Sequence, residues 1–325
     1  MQKNLHIPTL ENIKEAKKRI EKYLPKTSLK FSKEFSDLSG AEVYIKYENE
    51  LPTKAFKVRG GVNLAVKLMQ GNQTYTKLIA GSTGNHGQSI AYVGKLLKIP
   101  TIIVMPENAN PVKVKAIQDL GAEVIIKGKD TFDSWEWCKN EAQEKGYRYI
   151  LSCEEPDLFE GVGTIGLEVF EDCPDLESYI TAVGGGSGIC GASIALKNLN
   201  PEIKTYAVQA EGASAVYDSF KQKKLITHPS LNTLAEGLAT RSMYKYPFNI
   251  IQKYVDDMFL VSDENILEAI KLIYNFTGTI AEGAGAASIA GLIKNKEKFK
   301  NKKVVCVLTG GNLKEELKKE LLQIV

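Results

Sequence analysis

Two spacings of apolar residues alternate along most of this chain. Short apolar and β-branched runs give way, again and again, to stretches where apolar residues recur every three or four positions. The first spacing predicts strands and the second helices. Strands are predicted at Val43–Tyr47, Leu78–Ala80, Thr101–Met105, Glu123–Ile126, Tyr147–Leu151, Tyr179–Val183, Lys204–Val208 and Lys303–Leu308. Helical spacing covers Gly60–Met69, Gln88–Leu97, Val112–Leu120, Phe132–Lys145, Gly161–Phe170 and Ile189–Leu199. Leu10, Ile13, Ile20 and Tyr23 predict one amphipathic helix ahead of the first strand. Thr101–Met105 lacks polar alternation, as a strand covered on both faces does. The alternation as a whole predicts an α/β chain with open, twisted, mostly parallel sheets covered by helices.

The strand–helix units between 76 and 151 suffice for a small sheet of their own. No tandem repeat or flexible linker separates them from the rest. We therefore expect a small domain, 76–153, inserted into a large one made of 1–75 and 154–325.

Composition narrows the picture by exclusion. With 42 basic and 39 acidic residues in 325, the charges nearly cancel, which argues against a nucleic-acid groove or a membrane surface. No apolar run approaches the ~20 residues needed to span a bilayer. The polar, Lys/Glu-rich start lacks an apolar signal core, so a cytoplasmic address is expected. The five cysteines, at 138, 153, 173, 190 and 306, have no metal-ligand spacing and read as reduced core thiols.

Three glycine- and hydroxyl-rich segments sit where a predicted strand ends, the place where open α/β sheets bind ligands. Gly184-Gly185-Gly186-Ser187-Gly188 follows a strand and opens a helix. Convergent backbone N–H groups and the positive end of a helix make that a phosphate site. Gly186 to Gly191 also fits GxGxxG, with Glu211 where a dinucleotide fold places its ribose-binding acid. A nicotinamide-dependent oxidoreductase is therefore an alternative, although it gives no task to the other motifs. Ser82-Thr83-Gly84-Asn85-His86 offers two hydroxyls, an amide and free N–H groups suited to a carboxylate. A plain helix cap needs only one of these side chains. His86 has no acidic or thiol partner motif for a triad or a metal, and His6 and His228 read as surface residues. Thr309-Gly310-Gly311-Asn312 ends the last strand, and Glu282 enters a helix of small residues. Lys57, after the turn Pro52-Thr53 and beside Phe56, is either surface charge or a nucleophile for a carbonyl.

Together, and in this order, the segments resemble the pyridoxal-phosphate enzymes of fold type II, the tryptophan synthase β-subunit family. Within it the chain looks most like the serine/threonine dehydratases and serine racemases. The resemblance spans nearly the whole chain. It implies that Lys57 carries pyridoxal 5'-phosphate as an imine and that Phe56 packs on its ring. It places Asn85 at the phenolic oxygen, Gly184–Gly188 at the phosphate, Gly237 as a backbone contact and Thr309 at the pyridine nitrogen, with Glu282 also among the cofactor-binding residues. Ser82, Thr83, Gly84, Asn85 and His86 would clamp the substrate carboxylate. Glu211 and the Ala215 carbonyl become metal ligands for Mg²⁺, but Tyr217 stands where the relatives that bind it carry an aspartate.

The implied reaction is β-elimination from a β-hydroxy amino acid, giving a 2-oxo acid and ammonia, with Lys57 as the base at Cα. A hydroxyl at 309, rather than a carboxylate, leaves the ring a weaker electron sink and favours prompt loss of the β-hydroxyl. Racemisation is the second reading; the matching base on the opposite face is Thr83. Threonine synthase and cysteine synthase share the fold. The family expectation is a homodimer or homotetramer. The chain ends soon after the last strand, so feedback inhibition through a C-terminal regulatory domain is not expected.

Overall fold

The computed structural model describes residues 5–71, 75–82, 84–107, 109, 111–129 and 131–323. Among these, ten strands run in the order β1 (Leu29–Phe31), β2 (Glu42–Tyr47), β3 (Leu78–Gly81), β4 (Thr101–Met105), β5 (Glu123–Ile126), β6 (Arg148–Tyr149), β7 (Ser178–Ala182), β8 (Lys204–Ala210), β9 (Asp257–Val261) and β10 (Lys303–Leu308). They form two sheets. The six-stranded sheet has the order β1-β2-β10-β7-β8-β9, and the four-stranded sheet β5-β4-β3-β6. Every pairing is parallel except β1 with β2. The predicted α/β architecture with two mostly parallel sheets is therefore the one found.

Period-two alternation sorts the side chains of the large sheet. Val305 and Val307 of β10 join one buried cluster, with Tyr179, Phe159 and Ile13. Val304, Cys306 and Leu308 join the cluster on the opposite face, with Ile180, Val43 and Ala287. All five cysteines are free and buried.

The structure corrects several boundaries. Helices Lys57–Gln70, Asn85–Leu97, Pro156–Asp172 and Ser187–Leu199 each start before the predicted position. For the helices at 57, 85 and 187, residues of the segments singled out as motifs supply the first helical turn; Pro156 opens the fourth. The predicted strand Tyr147–Leu151 shrinks to β6, although the Ile150 N–H still bonds the Ile79 carbonyl. Strands β1 and β9 were not anticipated; β1 has three residues and a largely exposed pattern, too short for a periodic signal. Tyr23 lies outside the first helix, Leu10–Ile20, and is exposed, while Leu24 is buried in its place.

Helix Lys57–Gln70 is held at its start by contacts that admit no side chain. A Cβ on Gly60 would fall 2.7 Å from the Leu158 carbonyl oxygen, and one on Gly161 2.5 Å from that of Arg59. Beside this contact lies a buried ionic cluster. Arg59 donates to Glu48 from Nε (2.7 Å) and Nη2 (2.9 Å), and to Glu168 from Nη1 (2.6 Å) and Nη2 (2.8 Å). Lys46 Nζ adds a 2.6 Å bond to Glu168 and a 2.8 Å bond to the Thr27 carbonyl. The Thr164 hydroxyl accepts the remaining Nη1 hydrogen at 3.2 Å, and the Thr27 hydroxyl, also at 3.2 Å, shares an Nη2 hydrogen with a carboxylate. Two cations thus face two carboxylates, all four with side chains at most 5% exposed. Burial alone would raise the Glu168 pKa, but Arg59 and then Lys46 outweigh it and hold the carboxyl below its ordinary value.

Arg59→Leu removes one member and strands the others. We predict a loss of about 3–5 kcal/mol at neutral pH, measured by equilibrium denaturation. The stabilisation from a depressed carboxylate is present above its ordinary pKa and lost as pH falls through the folded value. The gap between variant and wild type should therefore narrow in acid.

Candidate active site

The carboxyl ends of both sheets open on one cleft of about 230 Å³. Its floor begins at the turn Leu51–Lys54, which lifts Phe56 and Lys57 toward the end of β10. The Phe56 N–H bonds the Thr309 carbonyl (3.1 Å), and the Gly311 N–H bonds that of Lys54 (2.9 Å). Lys57 is half-buried, its ammonium facing the cleft. Its Nζ donates to Ser187 Oγ at 2.7 Å and lies 4.9 Å from the Phe56 ring centre. Burial lowers its pKa to about 8, with no carboxylate among the causes to pull it back.

Ser187 opens helix Ser187–Leu199, whose cap, Gly186, has φ +94° and suits only glycine. No side chain caps that helix, so its first N–H groups stay free. A Cβ on Gly184 would sit 2.2 Å from the Gly237 carbonyl oxygen, so strand end and 237 turn meet backbone to backbone. Gly184–Gly188 and Gly237 all line the cleft.

Asn85 is held between two neighbours. Its Nδ2 donates to Glu282 Oε1 (2.6 Å), and its Oδ1 accepts from Asn312 Nδ2 (2.8 Å). Asn312 Nδ2 also reaches the Thr53 carbonyl at 2.9 Å. These contacts fix which way the Asn85 amide faces. Glu282 is the N-cap residue of helix Gly283–Lys294, but its side chain makes no capping hydrogen bond to that helix. Its carboxyl is pushed above the usual range, first by burial, with Asn85 and Lys113 opposing. Burial, then the Lys57 charge, lowers the His86 pKa to about 3, so the imidazole is neutral at physiological pH. Any carboxylate at Ser82–His86 would meet neutral donors rather than a second cation. Thr83 lies outside the described residues. Thr309 is 4% exposed and lines the cleft beside Asn312.

Residues 20–310 match the family model for pyridoxal-phosphate dependent enzymes. The chain belongs to that family. It is 36% identical over 305 residues to the L-threonine ammonia-lyase of Thermotoga maritima, covering 94% of this chain and 76% of that protein. It is 33% identical over 307 residues to the L-threo-3-hydroxyaspartate ammonia-lyase of Saccharomyces cerevisiae, covering 94% of each. The solved structure of maize serine racemase superposes with a TM-score of 0.92 at 28% identity, covering 98% of both chains. For a pyridoxal-phosphate dependent enzyme of fold type II, the two sheets are the expected architecture.

The cleft fits such a cofactor on its own chemistry. It offers an amine of lowered pKa for an aldehyde, uncapped helix N–H groups for a phosphate, and an oriented amide and a hydroxyl for a heteroaromatic ring. The metal reading fares differently. Glu211 Oε1 accepts from Lys294 Nζ at 2.6 Å, and the Ala215 carbonyl accepts from Ser219 Oγ at 2.6 Å. Neither residue lines the cleft, and among the described residues no group of three His, Cys, Asp or Glu could hold an ion. The same position removes Glu211 as the ribose acid of a dinucleotide site.

Lys113 and Trp135, on helices that the apolar spacing predicts, and Glu236, beside Gly237, also line the cleft, though the sequence marked none of the three as a site residue. Lys113 pairs with Glu236, which also takes Lys314 at 2.8 Å. His6 is exposed and lies 3.8 Å from Glu160, and His228 lies 2.9 Å from Asp218; both are away from the cleft.

In cofactor-free protein, the reaction of Lys57 with an amine-acylating reagent should show a pH midpoint near 8, read by peptide mapping. A midpoint at the ordinary 10.5 would contradict the burial argument. The unfolded chain holds the extra proton between those values, so this residue's burial penalty falls as pH rises through that window.

Proposed function

We propose that the chain is a pyridoxal-phosphate dependent ammonia-lyase that eliminates the β-hydroxyl of a small amino acid such as L-threonine or L-serine. The products are a 2-oxo acid and ammonia. The observation that carries this reading is Lys57: an amine of pKa about 8, held by Ser187 between the glycine loop and Phe56. The names of the relatives at 33–36% identity support the same reaction class.

The residues divide the work. Gly184–Gly188 with Ser187, and Gly237 beside them, hold the phosphate; Asn85 presents its amide to the phenolic oxygen; Thr309 presents its hydroxyl to the ring nitrogen; Phe56 packs on the ring. The Glu282 side chain sets the Asn85 amide rather than capping its helix. The bound cofactor supplies the electron sink for the bond broken at Cα. Ser82, Gly84, Asn85 and His86, with Thr83 between them, fix the substrate carboxylate. Lys57, neutral in a substantial fraction near its pKa of about 8, takes the Cα proton. Ser187, which accepts its hydrogen bond, keeps the amine aimed while it does so. The β-hydroxyl then leaves as water with the proton that Lys57 took from Cα, and the released enamine takes up water to give the 2-oxo acid and ammonia.

Racemisation of serine is the second reading. It rests on the likeness to maize serine racemase and needs Thr83 as the base on the far face. We further propose that the two sheets belong to two domains, 76–153 within 1–75 and 154–325, and that the chain works in the cytoplasm as a homodimer or homotetramer. Among the described residues no helix is long and apolar enough to cross a membrane.

The purified protein should absorb near ~410–420 nm, and Lys57→Ala should abolish the band. Assays of 2-oxo acid release with L-serine, L-threonine and D-serine then separate the readings. Keto acid from an L-substrate supports elimination; D-serine formed from L-serine without keto acid would establish the racemase instead. A colourless protein that binds NAD would defeat both.

A further inference from the structure

Trp135 stands in the cleft for a reason that the cofactor does not supply. Helix Thr131–Lys145 packs on the small sheet, and the indole Nε1–H donates to the Gly81 carbonyl at 2.8 Å. A Cβ on Gly81 would lie 2.5 Å from the indole Cδ1, so the ring lies directly on that glycine. Gly81 is the residue before Ser82, where the carboxylate loop begins. Two rings fix the indole from the sides: Phe132 at 5.2 Å between centres and Tyr244 at 5.8 Å. Tyr244 comes from beyond the 236–239 turn, on the other side of the cleft, and Arg241 of the same segment covers Phe132 at 4.5 Å.

The indole N–H is thus engaged, and what remains toward the cleft is apolar. Of the described side chains that residues 78–153 give the cleft, Trp135 is the one large apolar surface; its neighbours there include Ser82, Asn85, His86, Gln88 and Ser152. Lys113, the cation that stretch gives the described lining, is paired with Glu236.

We propose that Trp135 is the specificity-determining wall for the substituent on the substrate's β-carbon. The proposal rests on the reaction class given above. A carboxylate fixed at Ser82–His86, with Cα turned to Lys57, brings the β-carbon against an indole anchored one residue from that clamp. The wall favours threonine's methyl group over serine's hydrogen. It disfavours a second carboxylate, which finds an apolar face, while the cation that residues 78–153 give the described lining, Lys113, is paired with Glu236.

The test uses the cofactor-loaded full chain. Values of kcat/KM for 2-oxo acid release are compared for L-threonine, L-serine and L-threo-3-hydroxyaspartate in wild type, Trp135→Leu and Trp135→Ala. Trp135→Ala should lower the threonine-to-serine ratio by about 10-fold, the scale on which an apolar pocket discriminates one methyl group. Trp135→Leu should fall between. A ratio unchanged within about two-fold in both variants, with the cofactor band intact, overturns the proposal. So does a wild type that prefers L-threo-3-hydroxyaspartate to L-threonine. A readout independent of turnover, and of how well the variants fold, uses Trp137→Phe, which leaves Trp135 as the sole tryptophan of the chain. Saturating α-methyl-L-threonine lacks the proton that Lys57 removes; it should change the Trp135 emission more than α-methyl-L-serine does. Equal or absent changes count against the wall. If no L-substrate releases keto acid, the reaction class fails, while the emission comparison still decides the role of Trp135.

Discussion

The buried pairing of Arg59 with Glu48 and Glu168 governs where the reactive end of the molecule sits. Arg59 lies two residues after Lys57, on the first turns of the same helix. Its guanidinium is bonded on both sides, so the helix can neither rotate nor slide without stranding charge in a dry interior. Gly60 and Gly161 lock the same turn by backbone contact. The lysine at the head of the helix is therefore delivered to one place, beside Ser187.

At that place burial sets the chemistry. The amine of Lys57 is lowered toward neutrality because no carboxylate compensates its desolvation. His86 is kept neutral by burial and by the same lysine charge. Glu282, pushed up by burial, serves Asn85 rather than solvent. The cleft thus removes competing charges from around one amine and leaves oriented neutral donors, which is the environment an amine-to-carbonyl condensation needs.

Much of this was legible in the sequence because the motifs are local. Strands β5 and β10 match their predicted bounds, and Lys57, Ser82, Asn85, Gly184–Gly188, Gly237, Glu282 and Thr309 all line one cleft. The apolar spacing misses the first turns of the helices at 57, 85 and 187, where glycines and polar residues weaken the periodic signal. Strand β1 is too short and too exposed to register. Trp135 and Lys113 sit in helices of ordinary spacing, and only tertiary packing turns them toward the cleft. The Glu211 acid is a different case. Its spacing fits a ribose or a metal site, while in the folded chain it pairs with Lys294 at the surface, away from the cleft.

The central claim is that Lys57 is the residue that bonds the cofactor. Borohydride reduction of the holoenzyme followed by peptide mapping tests it most directly. The account predicts a pyridoxyl group on the peptide containing Lys57 and on no other lysine. A pyridoxyl group on Lys113 or another lysine, or none at all in protein that still carries the cofactor, would contradict it.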